Sequence, residues 1–332
     1  MKKEIKAPTS VRNNDQPYWP SLKLILSSLI VFSFYLNLVD KNKFSLLISI
    51  FDLTLIPMFV FIVAFMTKNI TWETLRYNLL PSIIIYFTFQ TVDMIPLYYS
   101  DEFNLKYYFF SPQSGVWFFL AIPIWQAFFL VLPKNIKSNN IILFLILIIS
   151  LIVAYLTKKH LLNLSSFFSI LLYFPFFIIA YFINDEKIAL LRKKSIFTIL
   201  CITILAIVLH FYQNNINDFV INITKADLNL SLFISYALNF IVSIILGSSI
   251  IYFSLSTDKY AKISNNALGI YLIHPIICFV FLRILAYFCI ELNLLMIIIL
   301  TLSTISIALL LALNSTIHWF IDPVLRTNKL KQ

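Results

Sequence analysis

Charge is what this sequence has least of. Only 12% of its 332 residues are charged, against about 25% in a soluble globular domain. Glycine occurs three times, which excludes Gly-rich phosphate loops of the P-loop or Rossmann kind and any GxxxG helix-pairing face. The three cysteines, Cys201, Cys278 and Cys289, lie in apolar runs without a CxxC spacing. They read as buried free thiols rather than as a disulfide framework. Histidine occurs four times, too rarely for a site of several imidazoles, and His160 beside Lys158 and Lys159 is a poor metal ligand. No metal site is expected. HExxH, GxSxG and closely spaced carboxylate pairs are all missing.

What is present is apolar. Hydrophobic residues make up 60% of the chain, and the mean hydropathy is +0.89. This excludes an ordinary soluble enzyme and a disordered chain, and predicts a protein mostly inside a bilayer. A spanning helix needs about 20 mostly apolar residues. Ten such runs are predicted, near 21–39, 44–66, 79–98, 114–132, 141–157, 166–183, 196–212, 231–254, 267–289 and 294–321. The expected fold is therefore all-α and polytopic. A polar tail (1–20) precedes one transmembrane domain (21–325), and a short basic tail (326–332) follows. The first run reads as an uncleaved span, because a 20-residue polar tail precedes it and no small-x-small site follows.

The formal charge of +10 fits topology better than nucleic acid. With ten spans both tails lie on one side. The tails and the even-numbered loops hold 17 of the 25 basic residues, and the odd-numbered loops hold 6. The positive-inside rule then places both termini in the cytoplasm of a multi-pass cell-membrane protein whose immediate partners are lipids. The external segment 99–113 reads either as an interfacial aromatic belt or as a cover over a cavity. Asn222-Ile223-Thr224 is a formal glycosylation triplet.

A charge at the centre of a spanning helix costs about 2.5–3.5 kcal/mol on insertion scales. Polar residues inside the runs are therefore the functional candidates: Lys23, Asp52, Gln90, Asp93, Gln126, His210, His274, Arg283, His318 and Asp322. Lys23, His318 and Asp322 lie near cytoplasmic ends, where snorkelling or helix-end pairing accounts for them. Asp52, Asp93, His210 and Arg283 fall in the outer half, so either a polar cavity or an internal ion pair is expected there. Arg283 or His210 is the expected company of a carboxylate. His274 precedes Pro275, and its plainest role is to bond a carbonyl that the proline frees. Gln90 and Gln126 read as links between helices.

Several stretches, in order, resemble the integral-membrane acyltransferase-3 family, in particular its fucose 4-O-acetylase-like branch. They are Tyr18-Trp19-Pro20-Ser21-Leu22-Lys23, Ile56-Pro57-Met58-Phe59, Arg76-Tyr77-Asn78-Leu79-Leu80-Pro81, Val116-Trp117-Phe118-Phe119, Phe174-Pro175-Phe176-Phe177 and Leu268-Gly269-Ile270-Tyr271-Leu272-Ile273-His274-Pro275. The resemblance implies a ten-helix bundle that moves an acyl group, often acetyl, from an acyl-CoA co-substrate to a hydroxyl of a cell-envelope polysaccharide or lipid-linked glycan. It implies a basic residue near the donor, which would be Lys23. It also implies a histidine eleven positions later as general base, and there this chain has Phe34. Leu55 stands where a second histidine is usual, Val63-Ala64 where a Ser-Gly pair is usual, and Gln126 where an arginine is usual. Each departure removes a polar or small group from one presumed site. An acyltransferase on this scaffold needs another base. Asp52, one helical turn from Leu55, is the first candidate, followed by Asp93 and His210, with His274 as the retained family histidine. The competing expectation is an inactive acyltransferase-like protein: a partner of an envelope enzyme, an immunity-type factor, or a glycan or lipid passage.

Overall fold

The computed structural model describes residues 18–38, 44–99, 105–161, 165–212, 228–257 and 261–323. Residues 1–17, the basic tail 326–332 and the Asn222-Ile223-Thr224 triplet lie outside them, while residues 18–20 of the expected first tail belong to the first helix. The helices are α1 (Tyr18–Leu36), α2 (Ser45–Thr67), α3 (Trp72–Asp93), α4 (Ile95–Tyr99), α5 (Leu105–Phe110), α6 (Trp117–Val131), α7 (Lys134–Ser138) and α8 (Asn140–His160). A 3-10 turn at Ser166–Phe168 leads into α9 (Ser169–Leu172), α10 (Phe174–Phe182), α11 (Asp185–Arg192) and α12 (Ile196–Phe211). The rest are α13 (Leu228–Phe253), α14 (Ala261–Ser264), α15 (Ala267–Tyr287), α16 (Leu294–Ala312) and α17 (Ser315–Ile321). No strand occurs among the described residues.

Among the described residues seven helices are long and apolar enough to cross a membrane: α1, α2, α3 continued through α4, α8, α13, α15 and α16. The protein is thus an all-helical, multi-pass membrane type. The other three predicted runs take different forms. The segment 166–192 is broken and bends by 89° between Phe182 and Asp185, while α6 and α12 are apolar but have only 15 and 16 residues. Asparagine starts several helices. The side chains of Asn139, Asn184, Asn293 and Asn314 accept from first-turn amides of α8, α11, α16 and α17, which meets N–H groups that have no partner inside a helix.

Apolar residues surround most helices, so burial alone does not separate inside from outside. Ile141, Phe144 and Ile149 of α8 and Leu295, Leu302 and Leu310 of α16 are exposed, as expected of surfaces solvated by lipid. Two aromatic-rich cores form inside. One gathers α2, α6, α8 and α10, and the other gathers α3, α15 and α16. The first helix joins them: Trp19, Leu22 and Leu26 belong to the first core, and Val31, Tyr35 and Leu36 to the second. The expectation of buried thiols holds for Cys278 alone. Cys201 and Cys289 are exposed, because they sit on the outward face of α12 and in the turn after α15.

At Gly269 of α15 the neighbouring helix comes very close. A Cβ there would lie 2.7 Å from the Ala312 Cβ and 3.1 Å from Ile321 Cδ1. At Gly247 the obstruction is only the flexible end of Met58. We expect Gly269→Val to destabilise the detergent-solubilised protein by about 1–3 kcal/mol through overpacking, and Gly247→Ala to cost less. Thermal unfolding of the two variants checks the order, and equal losses would contradict the assigned helix contact.

Candidate functional site

The site follows from where helices break. Proline has no N–H, so it strands the carbonyl four residues before it, and in a bilayer core that carbonyl must find another donor. Pro275 in α15 strands the Tyr271 carbonyl. His274 Nδ1 takes it at 2.7 Å and lies 3.3 Å from the Ile270 carbonyl. A carbonyl only accepts, so Nδ1 carries the proton and Nε2 keeps a lone pair. Pro57 in α2 strands the Leu53 carbonyl, and the Ser243 hydroxyl of α13 donates to it. At the break between α9 and α10, Trp125 Nε1 donates to the Ile170 carbonyl at 3.0 Å.

Around His274 the space is aromatic. Phe34 packs edge-on against the imidazole at 5.8 Å between ring centres. Tyr271 lies 6.2 Å from His274 and 5.4 Å from Phe59, with Phe119 beyond it. The Tyr271 hydroxyl donates to the Gly115 carbonyl at 3.1 Å. Gly115 has φ +83°, and a Cβ there would collide with the Tyr271 hydroxyl, so only glycine fits this turn at the start of α6. Ser114 beside it also has positive φ.

Asp93 ends α3 against this turn. It is 6% exposed, Ser114 is its polar neighbour, and Tyr271 lies within its electrostatic reach. Neither carboxyl oxygen meets good hydrogen-bond geometry with a partner among the described residues, although the Ser114 side chain is near enough to interact with it. An orphaned buried carboxyl is costly and calls for an explanation such as a proton, a water or a functional role.

The other sequence candidates divide cleanly. His210 Nδ1 and Asn239 Oδ1 are 2.9 Å apart, and the Arg283 guanidinium lies over Phe279 of its own helix. Neither accompanies Asp93, contrary to the expected ion pair, because each already has a neighbour of its own. Asp52 is on an exposed part of α2 and acts on Tyr173, the residue at the α9–α10 break. Lys23 is half-buried in α1, Gln126 is buried in α6, and His318 and Asp322 are exposed at the end of the chain's last helix. Gln90 links α3 to the short helix α5 and to the segment after it. It donates to the Tyr108 carbonyl at 3.0 Å and accepts from the Gln113 amide at 3.0 Å. With Ser165 and Ser166, which donate to the Phe110 and Pro112 carbonyls, it fastens 105–113 onto the bundle. Among the described residues no group of three His, Cys, Asp or Glu side chains is placed to hold a metal.

Tyr271, Ser114, Gly115 and Ser243 escaped sequence reasoning. The sequence did hold one signal, since Tyr271 lies four residues before Pro275 and its carbonyl had to be free.

If His274 serves the stranded carbonyl, His274→Phe should cost about 1–3 kcal/mol, the price of an unmet buried polar group. Adding Pro275→Ala restores the missing amide donor and should recover most of the loss. Unfolding of the single and double variants in detergent tests this, and a double variant no more stable than the single would refute the role.

Comparison with protein-family models, with curated proteins and with solved structures found no match.

Proposed function

We propose that the protein is a membrane O-acyltransferase that O-acetylates a hydroxyl of a cell-envelope polysaccharide or lipid-linked glycan from an acyl-CoA donor. The observation that carries this is Asp93, a buried carboxyl with Ser114 as its polar neighbour, at the end of α3 within electrostatic reach of Tyr271. A sugar hydroxyl is a poor nucleophile until its proton is accepted. Phe34, in contact with His274, cannot accept one. Asp93 can: the hydroxyl oxygen attacks the thioester carbonyl carbon, its proton passes to the carboxylate, the C–S bond breaks, and the thiolate of CoA leaves. His274, held by the Tyr271 carbonyl, presents the free Nε2 lone pair as a hydrogen-bond acceptor. Lys23 is the donor-side cation. Asp52 is the less favoured base because it is exposed, and His210 because Asn239 holds its Nδ1.

The inactive scaffold is favoured by a different observation. Phe34 stands where the resembled family has a histidine, its ring lies against His274 in a cluster with Tyr271, Phe59 and Phe119, and His210 and His274 are both engaged structurally. Acetyl-CoA consumption by purified protein with envelope glycan fractions separates the two. On the enzyme reading wild type turns over, and Asp93→Asn slows it by about 10²–10⁴, the contribution of a general base, while the thermal transition stays in place. Absence of wild-type turnover would leave the inactive scaffold.

The same proposal counts the bent segment and the two short apolar helices as spans, giving ten, with both termini cytoplasmic from the basic-residue bias. Single cysteines in a chain freed of its native three should then label from outside intact cells at position 98 and only after permeabilisation at position 194. Outside labelling at 194 would reverse the topology.

A further inference from the structure

Beyond the 89° bend, α11 closes one side of a cavity that the site above does not use. The cavity holds about 240 Å³ between α2, α10, α11 and α13. Met58 and Phe61 line it from α2, Ile179 from α10, Ser248 from α13, and Ile188 and Leu191 from α11. Eight residues make up α11, and Ile188 is the buried one among them. A helix this short does not hold its shape alone in water. One buried side chain is a small apolar grip, so polar contacts must keep α11 in place.

The two ends of α11 are held differently. At its start, Ile183 and Asn184 are the whole connection from α10, and both are extended, with φ −108° and −118°. The Asn184 side chain accepts from the Lys187 amide at 3.0 Å, and Lys187 Nζ reaches back to the Phe182 carbonyl at 2.6 Å. These bonds close the turn on itself. The Ile183 carbonyl accepts from Lys68 Nζ, which pins the turn to the end of α2. At its far end, α11 is fastened to another helix, chiefly by one side chain. Arg192 Nη1 donates to the Ile251 carbonyl at 2.6 Å and to Ser254 Oγ at 2.8 Å, while Nη2 donates to the Ser254 carbonyl at 2.8 Å and to Ser256 Oγ at 2.7 Å. The guanidinium carbon stands 4.6 Å from the centre of the Tyr18 ring. The Tyr252 hydroxyl adds one bond, to the Lys194 carbonyl just past α11. All four Arg192 acceptors are neutral oxygens, and Ser256 is exposed, so water can replace them without unpairing a buried ion.

We propose that α11 is a hinged strap over this cavity: it turns about Ile183 and Asn184, Arg192 is its latch, and release opens the cavity between α2, α10 and α13. The pinned turn is the fixed end and the Arg192 end is the one that moves. Because the guanidinium also stacks on Tyr18, the latch joins the starts and ends of three elements, α1, α11 and α13, at one point. The device uses neither Asp93 nor His274 and does not depend on acyl transfer.

The test is a distance measured by pulsed electron paramagnetic resonance in the full chain, freed of its native cysteines and held in lipid nanodiscs. Spin labels on Ala189→Cys in α11 and Leu313→Cys after α16, both exposed positions, report the strap. Labels on Leu145→Cys in α8 and Leu313→Cys are the reference pair. With Arg192 present, the strap pair should show a main distance and a minor second one. Arg192→Gln should raise the minor population relative to the main one about tenfold, the contribution of a single hydrogen bond made by a charged group. Arg192→Lys keeps the charge but not the fork, so it should fall between, and it serves if Arg192→Gln fails to fold. In the Arg192→Gln background, Ser248→Cys on the cavity wall should react with a water-soluble maleimide about tenfold faster. Ser249→Cys, which faces a different cavity between α1, α2, α12 and α13, should keep its rate. One distance, the same with and without Arg192, would overturn the strap. An equal change in the reference pair would mean that the whole bundle loosens and would overturn it as well. A strap that moves while Ser248→Cys reacts no faster would overturn the opening of the cavity.

Discussion

A carbonyl without a donor cannot be left in hydrocarbon, and this protein is built around the carbonyls its own helices release. Pro57, Pro275 and the break at Tyr173 each strand one, and Ser243, His274 and Trp125 meet them. Helix ends pose the same problem. Arg192 gives four hydrogen bonds at 2.6–2.8 Å to the Ile251 and Ser254 carbonyls and to the hydroxyls of Ser254 and Ser256, just beyond the end of α13. Its guanidinium also stacks over Tyr18, which ties the start of α1 to the same point. Lys68 and Lys187 serve the end of α10 in the same manner. Other polar side chains inside the bundle, such as Thr157, Thr203 and Ser248, bond a carbonyl one turn back in their own helix.

That pattern changes what counts as a functional candidate. A polar residue in a spanning helix is costly, and cost alone suggests function. Here His274 and Gln90 each have a structural duty that repays the cost. Asp93 has none that the described residues reveal. It lies beside the Gly115 turn, which follows the segment fastened by Gln90, Ser165 and Ser166. The contrast between a satisfied histidine and an orphaned carboxyl a helix away is what gives the site its direction.

How much was legible in the sequence depended on the range of the interaction. Apolar runs long enough to span are local, so the positions of α1, α2, α8, α13, α15 and α16 could be read directly. The proline rule is local too, and it identified the duty of His274 from Pro275 alone. The 89° bend after Phe182 was not legible, because it depends on how α11 meets α2 and α13 and not on the run of apolar residues through 166–183. Nor was Ser243, which serves a carbonyl 190 residues away. Phe34 could be recognised as an unusual residue, but that its ring lies against His274 is a fact of packing between α1 and α15. Asp93 lies beside Ser114, away from Arg283 and His210, for the same reason, since opposite charges at similar depth need not face one another.

The first helix shows what such long-range satisfaction means in time. Ser21 donates to Leu255, Ser27 to Ala267, and the Tyr35 hydroxyl meets Thr304, partners that lie 234, 240 and 269 residues further along the chain. A ribosome adding about 5–20 residues per second reaches the first of these some tens of seconds after it has made Ser21. During that interval α1, with a mean hydropathy of 1.5 against 2.5 for α2, holds its hydroxyls without their final acceptors. The contacts of α1 are therefore completed only after α15 and α16 have been made, and the bundle closes by bringing these distant parts of the chain together.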